Sequence, residues 1–208
     1  MTDKESLADG VRDRAIADDS PHARRAPEHH RWTGFLKHRW PTALGIAVAA
    51  LAAFDLQDGT KFSALVVAMA LVYLGAAALD RRRSAWVVLL AALAVVVVTD
   101  LLDSKVDPSV VFLVAALVFV VLGLARGQLQ RPGGLTLQAA GMLAFGATAL
   151  VALYVSPDLG SYLVAFALLG HAAWDAVHFR LDRVVPRSYA EFCGVLDLLL
   201  GVTILLMT

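Results

Sequence analysis

Apolar side chains fall in long, nearly unbroken runs along this chain, and polar ones gather between them. Seven runs stand out, at about 41–57, 62–79, 85–102, 109–125, 135–155, 159–179 and 189–208. Each approaches the ~20 residues an α-helix needs to cross ~30 Å of hydrocarbon. None shows the alternation of period two that marks a half-buried strand. Turn chemistry and charge separate them: Asp58-Gly59, Asp80 to Ser84, Asp107-Pro108, Arg131 to Gly134, Ser156 to Asp158, and Arg180 to Ser188. This pattern predicts an all-α fold, a seven-helix bundle of a polytopic integral membrane protein spanning residues 41–208.

The residues ahead of the first run follow different rules. Residues 1–30 are polar and mixed in charge, with Pro21 and Pro27, and predict a disordered cytoplasmic tail. His22, His29 and His30 belong to that tail and read as solvated side chains. Residues 31–40 place Trp32, Phe35, Leu36 and Trp40 on one helical face with Arg31, Lys37 and Arg39 around it. Such a segment lies as an amphipathic helix at the lipid headgroups. An internal echo links Val67-Ala-Met-Ala-Leu71 in the second run with Val164-Ala-Phe-Ala-Leu168 in the sixth. It suggests two three-helix units joined by the fourth run, an arrangement found in transporters.

Composition strengthens the membrane reading. Hydrophobic residues make up 59% of the 208, whereas soluble domains contain roughly 45–50%. The formal net charge of zero hides an asymmetry. With a cytoplasmic N-terminus and seven spans, every Lys and Arg except Lys61 and Lys105 falls on the inner side. Asp55, Asp58, Asp100, Asp103, Asp107 and Asp158 fall on the outer side, as the positive-inside rule requires of an N-in, C-out protein of the cell membrane. Those aspartates read as solvated outer loops, with a cation funnel as the alternative. Arg81, Arg82 and Arg83 read as a topology anchor touching anionic lipids. Gly123-x-x-x-Gly127 permits close helix contact, within the chain or in a homo-oligomer.

Several function classes drop out. There is no basic surface interleaved with aromatics for nucleic acid, no Gly-rich phosphate loop, no Gly-x-Ser-x-Gly elbow and no Cys-x-x-Cys. The single cysteine, Cys193, cannot form an internal disulfide, and no lysine in the last run could carry a retinal Schiff base.

The candidate chemistry lies in runs six and seven. His171, Asp175 and His178 are spaced i, i+4 and i+7, so they share one helical face. Ionisable groups at membrane depth are costly and mark function. At ~1.5 Å per residue, His171 and Asp197 both lie about 14–15 Å from the flanking arginines. Asp175 is then level with Cys193, and His178 with Glu191. Ala190, Cys193, Gly194, Asp197 and Gly201 form a small-residue stripe on which the sixth helix can pack closely. Three uses of this cluster stay open. His171, His178 and Asp197 can hold Zn or Fe, with Asp175 as ligand or general base in hydrolysis of a lipid-borne bond. The same groups can relay protons or cations in a small transporter. They can also simply lock two helices together in a non-catalytic assembly subunit.

The string Gly170-His171-x-x-Trp174 resembles the motif of the CREST group of seven-helix membrane hydrolases, which includes the alkaline ceramidases and the progestin/adipoQ receptors. Asp175 stands where that group has its second histidine. The resemblance implies zinc chemistry, with His171 as a ligand.

Overall fold

A computed structural model describes residues 29–54, 56–103, 105–131 and 134–208. The side chains of residues 29–38 and 130 are outside the described set. The expected tail with His22, the interfacial face of Trp32, Phe35 and Leu36, the side chains of His29 and His30, and Asp55 therefore lie outside the described residues.

The chain divides into two units, residues 1–40 and 41–208. Helix α1 (His29–Ala53) is continuous through Pro41, so residues 31–40 and the start of the first apolar run share one helix. The described part of the first unit is that helical segment. The second unit continues with α2 (Ser63–Leu79), preceded by a 3-10 turn at Gly59–Phe62, then α3 (Ser84–Leu101) and α4 (Pro108–Ala125). A 3-10 turn at Gln128–Gln130 leads to α5 (Leu135–Ala152), α6 (Pro157–Leu181) and α7 (Arg187–Met207). The described residues contain no strand.

Six helical segments are long and apolar enough to cross a membrane: Gly59–Leu79, which joins the 3-10 turn to α2, and α3 to α7. The apolar part of α1, Arg39–Ala53, is shorter, about 22 Å at ~1.5 Å per residue. Local chemistry sets the ends. Pro108 opens α4 while the Asp107 carboxylate accepts from the Ser109 N–H at 2.7 Å. Asp80 and Asp182 close α2 and α6 in left-handed conformation, with φ of 53° and 50°; short polar side chains visit that region more readily than most. The two glycines of Gly123-x-x-x-Gly127 have separate jobs. A Cβ on Gly123 would meet Leu135 Cδ1 at 2.7 Å, whereas Gly127 lies beyond the end of α4 at φ +67°.

Helix α2 is the centre of the second unit. All its residues except Ala64, Leu65 and Leu79 are buried, and α3, α4, α5 and α6 pack around it. Helices α6 and α7 form the most intimate pair. The part of α1 after Pro41 rests on α7: Thr42 donates to Glu191, and a Cβ on Gly45 would come within 2.7 Å of the Phe192 carbonyl oxygen. The internal echo is only partly reproduced in packing. Met69 is fully buried in α2, while Phe166, its counterpart in α6, is 61% exposed.

The arrangement of polarity is that of a protein in lipid. Val87 and Leu90 on α3, Val114 and Leu117 on α4 and Leu143 on α5 all point outward. The interior holds Tyr73, Gln138, His171, Asp175, His178 and Asp197. Apolar surface this extensive would aggregate in water and is accommodated by a bilayer.

Ion pairs tie the basic loops together at one end of the bundle. Arg82 pairs with Asp182, and Arg131 with Asp80. Arg82 also donates to the Val185 carbonyl at 3.2 Å, and Arg187 lies 3.6 Å from Asp182. Arg82 beside Asp182 holds that carboxyl below its ordinary range. At the other end, Asp58 accepts from the Thr60 N–H at 2.8 Å and from the Ser161 hydroxyl at 3.2 Å. Asp58 and Asp107 of the expected outer acidic group thus act as caps of helical turns.

Candidate metal centre

Helix α6 contributes its i, i+4, i+7 stripe as expected: His171, Asp175 and His178 are all buried. Helix α7 meets it with its stripe of small residues. Gly194 sits where a Cβ would lie 3.2 Å from the Asp175 Cβ, and a Cβ on Gly201 would lie 3.1 Å from the Ala165 carbonyl oxygen. Larger residues there would separate the helices. This close approach brings Asp197 of α7 to His171 of α6.

The result is a compact triad. His171 Nδ1 lies 2.9 Å from Asp197 Oδ2 and 3.3 Å from Asp175 Oδ2. His171, Asp175 and Asp197 are 1%, 1% and 0% exposed. One ligand atom from each falls within 4.8 Å of the others, so the group could hold a metal ion. Tyr73 of α2 donates its hydroxyl to Asp175 Oδ1 at 2.5 Å, adding a third helix to the site. The remaining polar atoms are notable for what they lack. His171 Nε2 and Asp197 Oδ1 have no hydrogen-bond partner among the described residues. A buried polar atom without a partner costs about 1–3 kcal/mol, so such atoms call for an explanation.

His178 stands outside this triad. Its Nδ1–H donates to the Trp174 carbonyl at 2.9 Å, which leaves Nε2 as the acceptor for the Gln138 amide at 3.1 Å. Both nitrogens are occupied, so the expected ligand role for His178 finds no place in the observed geometry. Glu191 does not reach His178 and instead accepts from Thr42 of α1. Cys193 is fully buried beside the Tyr189 hydroxyl.

An aromatic layer surrounds these groups. The Tyr73 ring lies edge-on to His171, His178 and Tyr189, with centroids 5.5, 4.8 and 6.0 Å away. Phe145 of α5 packs edge-on to His171 at 5.1 Å, and Trp174 tilts over His178 at 5.2 Å. Trp174 also fills the space over Gly141, where a Cβ would be 3.2 Å from its ring.

Sequence reasoning missed two members of the polar interior, Tyr73 and Gln138. Their signal was present: Tyr73 is the one hydroxyl at the middle of α2, and Gln138 the one amide in α5. Protein-family models, curated proteins and solved structures all gave no match to this chain.

Proposed function

We propose that this is a multi-pass membrane protein that binds one divalent transition metal, Zn or Fe, at His171, Asp175 and Asp197. The observation that carries the proposal is the meeting of two carboxylates at a single imidazole nitrogen, wholly enclosed in an apolar bundle. Charge supplies the reason. Two carboxylates and a neutral imidazole carry −2, which a divalent cation cancels. An imidazolium alone would leave −1 in a medium where uncompensated charge is costly. The spacing agrees. Ligand bonds of ~2.0–2.1 Å in a tetrahedron place ligand atoms about 3.3 Å apart; the two separations around His171 Nδ1 are 2.9 and 3.3 Å, and all three ligand atoms lie within 4.8 Å of one another.

Three protein ligands rather than four are the mark of a catalytic centre with a position left for water. A metal held by these three residues would supply the Lewis acidity that brings water toward a pKa of ~7 and supports hydrolysis. The proposed activity is therefore metal-dependent hydrolysis of a lipid-borne bond. Tyr73 orients Asp175 through its hydroxyl and so positions that carboxylate as the third ligand. The resemblance of Gly170-His171-x-x-Trp174 to the CREST hydrolases points the same way. The proposed topology is N-in and C-out, with the arginine-rich loops cytoplasmic.

A second reading draws on the chain of contacts from Tyr73 through Asp175 and His171 to Asp197. Such a chain can pass protons in a proton-coupled transporter. Zinc titration of the detergent-purified chain, followed by thermal denaturation, separates the two. Metal binding to the folded state adds about 2.7 kcal/mol at a hundred times Kd. A rise in Tm that disappears in His171→Ala and Asp197→Asn is expected of the metal centre. An unchanged Tm across the titration, with pH-gradient-driven uptake in vesicles abolished by Asp197→Asn, would instead establish the relay.

A further inference from the structure

At the basic end of the bundle two clefts adjoin each other and share Asp80, Arg81 and Gln128. The larger, about 740 Å³, lies between the ends of α2 and α4 and the start of α3. Arg81, Arg83 and Arg126 line it together with Leu79 and Val87. The smaller, 320 Å³, is reached by Arg82, Arg131 and Arg183 and floored by Ala76 and Ala77 of α2.

The acids of this end are already engaged. Asp80 is paired with Arg131, and Asp182 with Arg82 and Arg187. Among the described residues no ion pair involves Arg81, Arg83 or Arg126, and all three are exposed. Three cations without an ion-pair partner among the described residues therefore line one cleft, and its lining carboxylate, Asp80, is held by Arg131. The same cleft has an apolar side. Val87, 67% exposed, belongs to the outward apolar face of α3, continuous with Leu90. A ligand that satisfies both features carries an anionic head and a hydrocarbon body.

We infer that this cleft binds the phosphate headgroup of an anionic phospholipid, with Arg81, Arg83 and Arg126 around the phosphate and the acyl chains lying along α3. Guanidinium groups suit phosphate oxygens because their forked N–H groups match the geometry of the anion. The assignment is one of binding and stands whether or not the buried triad holds a metal.

Calorimetric titration of the full chain in detergent provides the test, with three probes: dihexanoyl phosphatidylglycerol, dihexanoyl phosphatidylcholine and inorganic phosphate. Phosphatidylglycerol is expected to bind at least tenfold more tightly than either of the others. Each basic residue at a membrane surface contributes roughly fivefold in affinity for anionic lipid. The triple variant R81Q/R83Q/R126Q should therefore lose on the order of a hundredfold. The single variant Arg126→Gln, which leaves the other two cations in place, should lose roughly fivefold. Arg180→Gln, away from the cleft, should bind as the parent does. Equal binding of phosphatidylcholine, or undiminished binding by Arg126→Gln, would overturn the inference. Inorganic phosphate binding as tightly as the lipid would overturn it too, and would make the ligand a soluble anion.

Discussion

Tyr73 and His171 show how single side chains define the interior. The Tyr73 hydroxyl, in the middle of an apolar helix, donates to Asp175 Oδ1 at 2.5 Å. Tyr73→Phe keeps the ring and removes that donor. The expected cost is about 1–3 kcal/mol, the range for leaving a buried acceptor unsatisfied, read as a lower midpoint in denaturant titration of the purified protein. A midpoint within error of the parent would show that Asp175 does not depend on Tyr73. His171 and Asp197 were legible in the sequence, because counting from Arg180 and Arg187 puts them at one depth and they meet at 2.9 Å. The same counting puts His178 level with Glu191, yet the two side chains have other partners. Depth says nothing about azimuth: His178 turns toward Gln138 of α5, while Glu191 turns toward Thr42 of α1. Tyr73 and Gln138 were illegible as partners for the same reason, since they come from helices whose neighbours only the packing reveals.

Helix limits depend on local chemistry and were correspondingly clear. The run at 62–79 became Ser63–Leu79 and that at 109–125 became Pro108–Ala125, where prolines and aspartates set the ends. The fifth apolar run extends to residue 155, yet α5 stops at Ala152, where the chain turns toward Gly160. A Cβ at Gly160 would lie 2.4 Å from the Ala152 carbonyl oxygen. Gly160→Ala should therefore push α5 and α6 apart and destabilise the protein by about 1–3 kcal/mol, the usual cost of overpacking, seen as a fall in Tm. The loop between α6 and α7 carries a pH dependence. Arg82 holds the Asp182 carboxyl below its ordinary value of 3.8. A carboxyl depressed in the folded state stabilises above its unfolded value and loses that contribution as pH falls through the folded one. The parent should therefore have a higher Tm than Asp182→Asn at pH 7, and the gap should close below pH ~4. A gap that shows no narrowing as pH falls from ~5 to ~2 would mean that the carboxylate charge is not what ties Arg82 to this loop.

Among the described residues of the second unit, the outer faces of α3 to α5 are apolar, while His171, Asp175, His178 and Asp197 are enclosed within the bundle. The basic loops share one end, which ion pairs between residues 80–82 and 131–187 hold together. If α1 crosses the membrane with the six longer helices, the chain ends on opposite sides. Reporter fusions should then place the N-terminus in the cytoplasm and the C-terminus outside. Both ends on one side would reduce the bundle to six crossings, with the shorter apolar part of α1 left at the interface. Neither result alters the buried triad, which α6 and α7 build with Tyr73 of α2 against it. Metal content tests that triad most directly. Full-length protein loaded with zinc, freed of excess metal and analysed by inductively coupled plasma mass spectrometry should hold about one zinc per chain, as a single set of three protein ligands predicts. Folded His171→Ala and Asp197→Asn should hold almost none. A parent protein that retains no zinc, or variants that retain as much as the parent, would contradict a metal centre at His171, Asp175 and Asp197.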